Sequence, residues 1–168
     1  QRWVGGVASK PELLYRPWKT VLSNGETVPV FFRDNYLSDK MFGYSEKRTD
    51  ISVEEFEDTI LKLRDKTTDL NFIPVVSIIA DGENFWENYS NDGIDFLNGM
   101  YTVLTKYDWL ETITPTGYLQ MYGDSLETID KLYPASWFQP NFGTWIGEAD
   151  ENKAWDYLYQ TRIDFEEA

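Results

Sequence analysis

Along this 168-residue chain, short runs of consecutive apolar residues alternate with longer stretches in which apolar positions recur every three or four residues. Thr27-Val-Pro-Val-Phe-Phe32 is a run of the first kind and predicts a buried strand that starts near a proline. Ile73-Pro-Val-Val-Ser-Ile-Ile-Ala80, nearly continuous and rich in β-branched residues, predicts a strand covered on both faces. Glu111 to Thr114 predicts a third, short strand stopped by Pro115. Of the second kind, Val53, Phe56, Ile60 and Leu63 predict a helix that starts at a capping box, Ser52-Val-Glu-Glu55, and runs to about Lys66. Ile94, Leu97, Tyr101 and Leu104 fall on one stripe of a helix over about 92–107. Thr114 and Pro115 open another short helix, 141–150 reads as loop, and a closing helix runs from Asn152 through Trp155, Leu158 and Phe165. The first 22 residues, with Pro11 and Pro17, read as irregular structure with short helical turns at most. This order predicts an α/β fold of parallel strands in βα units, with ligands gathered at the carboxyl ends of the strands. Arg33 to Asp39 and Asp81 to Glu87 both lie on that face. With no repeat or linker, 1–168 reads as a single unit.

Charge narrows the partners. Fifteen Lys and Arg stand against 29 Asp and Glu, a net charge of −14, and so acidic a surface repels phosphate backbones and anionic lipid. Nucleic acid and membrane are therefore not expected as partners. No apolar run approaches the roughly 20 residues that span a bilayer. The chain opens on Gln1 without a signal-peptide pattern and without Met, so it is expected to be a processed form or a fragment, and its compartment, extracellular or cytoplasmic, stays open.

The chain has no His and no Cys, which removes Ser/His and Cys/His nucleophile pairs, His-bearing zinc sites and disulfides. Acid/base chemistry then falls to carboxylates, with Tyr or Lys behind them. The richest candidate is Ser77-Ile-Ile-Ala-Asp81-Gly-Glu83-Asn84-Phe-Trp86-Glu87, where an apolar run ends in three carboxylates and an indole. Three readings of it stand: a hard-cation site of oxygen ligands, a solvated loop capping the next helix, or a glycosidase carboxylate that protonates a leaving oxygen. Aromatics make up 17% of the chain, with 7 Trp, 11 Tyr and 10 Phe. Such rings fill cores, but they also stack on the apolar faces of sugars, which makes carbohydrate the natural ligand class.

Four ordered segments carry a resemblance. Ile78-Ile-Ala-Asp81-Gly-Glu-Asn-Phe-Trp86-Glu resembles the fourth sequence region of glycoside hydrolase family 57, which contains α-amylases, amylopullulanases and α-glucanotransferases. Phe31-Phe-Arg33-Asp34-Asn-Tyr-Leu37-Ser38-Asp39 is similar to its FFRDxxLSD segment, and Asn91-Asp-Gly-Ile-Asp-Phe-Leu97 to its NDGxxFL helix start. Ser136-Trp137, Asn141-Phe-Gly-Thr-Trp145-Ile-Gly147 and Asn152-Lys-Ala-Trp155 resemble its late Trp-rich region. The resemblance implies a retaining enzyme acting on α-glucans (starch, pullulan, maltooligosaccharides), built on an incomplete (β/α)7 barrel with a helical C-terminal portion, and needing no metal or other cofactor. It implies Asp81 as general acid and then base, Glu83 and a dry Trp86 wall keeping it protonated, and Trp86 and Trp145 as sugar-stacking rings. Arg33 and Asp34 either hold hydroxyls or brace the loop. The family's early His-bearing region and its nucleophile Glu have no match here. Glu12, Glu26, Glu46, Glu54, Glu55 and Glu57 all stand in other contexts. The expectation is therefore that the nucleophile lies in an upstream remainder of the polypeptide, this chain being the later part of the catalytic domain. The alternatives are a noncatalytic carbohydrate-binding or interaction module, and an α-glucanotransferase.

Overall fold

The computed structural model describes residues 3–4, 7–8, 10–82, 86–130, 132, 136 and 141–168. It falls into two compact units, Gln1–Asp130 and Lys131–Ala168. The first unit opens with a short antiparallel pair, β1 (Trp3–Val4) and β2 (Val7–Ala8), followed by one helical turn, α1 (Pro11–Leu14). A hairpin, β3 (Trp18–Val21) and β4 (Thr27–Val30), turns at Gly25, whose φ of +87° suits a residue without a Cβ. Then come α2 (Asn35–Gly43), α3 (Thr49–Thr67), α4 (Ile94–Leu104), α5 (Pro115–Tyr122) and β5 (Glu127–Thr128). The three-stranded sheet has the order β4-β3-β5, antiparallel at β3–β4 and parallel at β3–β5. The protein is thus mixed α/β, and among the described residues β3–β5 is the parallel ladder.

The expectation of successive parallel βα units is corrected accordingly. The apolar run 27–32 supplies β4, an edge strand that is mostly exposed and tolerates Pro29 because only one of its edges is paired. The run 73–80 forms one parallel bridge, Arg33 to Ser77, instead of a ladder, and 111–114 is extended without strand pairing. Residues 1–22, read as irregular, hold β1, β2, α1 and β3.

The helices follow the periodicity more closely. Phe56, Ile60 and Leu63 are buried on α3, joined in the core by Leu14, Tyr15, Leu37, Met41, Tyr44, Phe96 and Val103. The Ser52 capping box does not form, because α3 begins earlier, after Arg48. Ser52 lies buried inside the helix, its Oγ donating to the Tyr44 and Arg48 carbonyls at 2.9 and 3.2 Å, while Glu55 pairs with Lys47 at 2.6 Å. Helix α4 is rotated relative to the expected stripe: Phe96 and Val103 are buried, whereas Ile94 and Tyr101 are more than half exposed. The reason is close helix packing. A Cβ on Gly99 would stand 2.3 Å from Val53 Cγ2, so the glycine face of α4 lies against α3 and fixes which residues turn inward. Helix α5 starts as expected, with Thr114 Oγ1 accepting from Gly117 N at 3.1 Å.

In the second unit α6 (Ala149–Glu167) matches the expected closing helix, entered at Glu148, whose N–H donates to Glu151 Oε2 at 3.4 Å.

Before α4, Asn91, Asp92 and Gly93 take φ of 54°, 50° and 74° in succession. Asn, Asp and Gly are the residues that enter this left-handed region most readily, which gives the Asn-Asp-Gly order a physical reason. A Cβ on Gly93 would meet Trp86 Cε3 at 2.5 Å. Gly93→Ala is therefore expected to destabilise the protein by roughly 2–4 kcal/mol through strain and overpacking. Gly43→Ala, at a site with open space and ordinary helical φ, should be neutral or slightly stabilising. Thermal or urea unfolding of the two variants reads the contrast.

Candidate active site

The segment from Ile73 to Asp81 is extended, and its peptide groups are tied down by partners drawn from three parts of the chain. Tyr118 Oη donates to the Ile73 carbonyl at 3.4 Å, and Val75 N–H donates to the Tyr15 carbonyl at 2.8 Å. The Ser77 carbonyl accepts from Asp34 N–H at 3.0 Å. Ile79 is held on both sides of its residue: its N–H donates to Ser38 Oγ at 3.1 Å, and its carbonyl accepts from Arg33 Nε at 3.0 Å. Residues 73, 75, 77 and 79 share one edge, as the period of an extended chain requires. Two residues beyond the last tie stands Asp81, exposed and followed by the turn residue Gly82.

The Arg33–Asp39 segment supplies most of these ties. Arg33 spreads its guanidinium over three acceptors, the Ile79 carbonyl, Asn35 Oδ1 at 3.0 Å and Asp39 Oδ1 at 2.9 Å. Asp34 is 1% exposed. Its Oδ1 accepts from Leu37 N–H and its Oδ2 from Tyr15 Oη, both at 2.8 Å, so it caps α2 and anchors it to the loop after α1. Burial pushes the Asp34 carboxyl above its ordinary value, against the opposing effect of those two hydrogen bonds. Ser38 is fully buried one turn further along α2.

Trp86 is half-buried, packed on the core, with its ring centroid 5.7 Å from that of Tyr89 and its six-membered ring above Gly93. Tyr89 in turn stacks on Phe96 at 5.1 Å, and its hydroxyl donates to the Met41 carbonyl. Glu83 lies outside the described residues, as do Asn84, Phe85 and Trp137. Glu87 is exposed. Among the described residues no three carboxylates gather as a cation site, and no helix is long and apolar enough to cross a membrane. Trp145, in the second unit, is 37% exposed, and its carbonyl accepts from Trp155 Nε1 at 2.8 Å.

The structure thus brings Arg33 and Asp34 to the segment that carries Asp81 and seats Trp86 on the adjoining core. Sequence reasoning missed the parts played by Ser38, Asp39 and Tyr15. Ser38 and Asp39 stood inside a recognised motif, where a buried small hydroxyl so near a helix start was the available signal. Tyr15 sat in a segment read as irregular and gave none.

Chemically, the arrangement presents a solvent-facing carboxylate on a braced backbone, able to exchange a proton with a bound group. Removing the Ser38 hydroxyl takes away the acceptor of the half-exposed Ile79 N–H, so Ser38→Ala should cost about 0.5–1.5 kcal/mol in urea unfolding. For Asp34, a carboxyl raised in the folded state binds more protons there than in the unfolded chain. Stability from this group is therefore highest at low pH and falls as pH rises from the ordinary value of 3.8 through the folded one. The unfolding free energy of the wild type minus that of Asp34→Asn, which keeps the cap, should decline across that window and then level. A flat difference would refute the burial effect.

A family model, glycosyl hydrolase family 57, matches residues 6–131, which include the Arg33–Asp39 segment, Asp81 and the Asn91–Gly93 turn but not Trp145. No curated protein matches the sequence. With most of its length covered by that model, the chain belongs to glycosyl hydrolase family 57 and so to the glycosidase-type enzymes that act on glucans.

Proposed function

We propose that this protein is a retaining α-glucan hydrolase in which Asp81 serves as general acid and then as general base. The observation that carries the reading is the placement of Asp81: a carboxylate open to a ligand, two residues past a backbone held by Arg33 and Ser38. A general acid must sit within hydrogen-bond reach of the glycosidic oxygen, and a braced strand end holds such a group better than a free loop does. Trp86 offers a ring fixed by its packing as a wall for a sugar face. Trp145 offers a second, partly exposed ring. Arg33 and Asp34 act as braces, since their polar atoms are engaged with Ile79, Asn35, Asp39, Leu37 and Tyr15.

A retaining mechanism needs a second carboxylate about 5 Å from the first, which attacks the anomeric carbon while the acid protonates the leaving oxygen. The glutamates preceding Asp81 are poor candidates. Glu55 and Glu57 lie on α3, where their carboxylates are taken up in ion pairs with Lys47 and Lys106. Glu26 turns back on Asn24 at 2.8 Å. The nucleophile is therefore assigned to a Glu outside these 168 residues, on the remainder of an incomplete (β/α)7 barrel of which this chain is a part. Starch, pullulan and maltooligosaccharides are the proposed substrates, and transfer to a sugar acceptor instead of water would use the same two carboxylates.

In the catalytically competent protein, Asp81→Asn should lower turnover on starch by about 10²–10⁴-fold while leaving maltooligosaccharide binding, read by calorimetry, nearly unchanged. Reducing-end release at the wild-type rate would remove Asp81 from the mechanism.

A further inference from the structure

Arg16, Asn71, Phe72, Tyr118, Tyr122, Ser125 and Glu127 surround a recess of about 310 Å³. It lies at the start of the extended segment that ends in Asp81. The step of eight positions from Ile73 to Asp81 amounts to roughly 26 Å of extended chain at about 3.3 Å per residue, so the recess stands apart from the candidate acid.

Its construction is specific. Arg16, with a side chain only 17% exposed, donates through Nη1 to Glu127 Oε1 and through Nη2 to Asn71 Oδ1 at 3.2 Å. The guanidinium carbon lies 4.0 Å from the centre of the Phe72 ring and 5.6 Å from that of Trp18. One cation and one carboxylate cancel, so this pair gives the recess no net charge with which to select a phosphate, a carboxylate or a metal ion. The sheet holds the pair in place, since Trp18 is in register with Glu127 in the parallel β3–β5 ladder. The Asn71 amide nitrogen, the second Glu127 oxygen and the acceptor capacity of the Ser125 hydroxyl are not used in these bonds, and the side chains that carry them are exposed. Two tyrosines also line it, Tyr118 buried and Tyr122 half-buried, their rings 5.0 Å apart.

A recess lined by planar amide and carboxylate groups together with an aromatic ring, Tyr122, is complementary to a neutral polyol that has an apolar face and a hydroxyl edge. Its volume is at the low end of the roughly 300–1,000 Å³ usual for ligand sites, which suits a short saccharide segment and not a folded partner. We propose that this recess is a second carbohydrate site, binding a glucosyl stretch of the same polysaccharide away from Asp81. The substrate class rests on the α-glucan reading above. Such a site would raise the effective concentration of long chains at the enzyme without taking part in bond cleavage.

The test is electrophoresis of the protein through gels cast with and without soluble starch, alongside its Asn71→Ala and Tyr122→Ala variants. The starch-dependent retardation should weaken, with an apparent Kd raised about tenfold or more, as expected when a buried sugar hydroxyl loses its partner. In the unmutated protein, the Asn71 side-chain amide resonance should move on titration with maltoheptaose, which needs no substitution and so no assumption about folding. Retardation equal to that of the wild type in folded variants, or an Asn71 amide that stays in place, would overturn the second site. Either result leaves Asp81 untouched, since its role is read separately by reducing-end release from Asp81→Asn.

Discussion

The region around Asp81 depends on one constraint: an extended, apolar segment has to satisfy its peptide groups without a strand beside it along most of its length. Peptide groups left unpaired where water reaches them poorly are costly, and this segment is half-buried along its middle, from Pro74 to Ile78. Here the cost is avoided by a mixed set of partners, a Tyr hydroxyl, two main-chain groups, a Ser hydroxyl and a guanidinium. The Phe31–Asp39 motif is best understood as the source of these partners. Its Arg reaches the carbonyl of Ile79, its Ser accepts from the same residue's N–H, and its Asp closes the first turn of the helix that carries the Ser. Each of these groups answers to a geometric need of the neighbouring segment, which explains why chemically dissimilar residues occur so close together.

A second support comes from the other side. The three left-handed residues Asn91, Asp92 and Gly93 bring the backbone down onto Trp86, and Trp86, Tyr89 and Phe96 then pass the contact into the core formed with Tyr44. Backbone strain at this turn is offset by an aromatic cluster that only a residue without a Cβ allows to close. Surface ion pairs add little by comparison. Lys47–Glu55, Arg48–Asp50 and Arg162–Glu166 are largely solvent-exposed, where water and salt screen the attraction.

The sequence made the helices legible because their buried faces repeat: Phe56, Ile60 and Leu63 could be placed inward from spacing alone, and Thr114-Pro115 marked a helix start. It did not make the pairing of extended segments legible. The run 73–80 has the apolar, β-branched character of a central strand, yet its partners are side chains, one loop carbonyl and one loop N–H, which no periodicity announces. The rotation of α4 was hidden for a related reason, since the contact that sets it involves Gly99, a residue with no hydrophobicity to count. At the candidate site, Asp81 was visible as a carboxylate after an apolar run, but the hydroxyls of Ser38 and Tyr15 and the carboxylate of Asp39 became meaningful only when distant segments were seen together. Glu83, which the sequence places next to Asp81, belongs to the residues not described.

The ties on the 73–81 segment have a consequence for the order in which the protein acquires function. The hydrogen bonds from Arg33 to Ile79, from Ile79 to Ser38 and from Tyr118 to Ile73 join residues 46, 41 and 45 apart in sequence. Closing such loops costs entropy before any contact rewards it, so contacts of this separation consolidate late. The helices can form from local interactions, but the carboxylate end of the segment has no fixed position until α1, α2 and α5 have all assembled around it. Placement of Asp81 and completion of the fold then become one event, and a partly folded chain would carry its helices without carrying the proposed site.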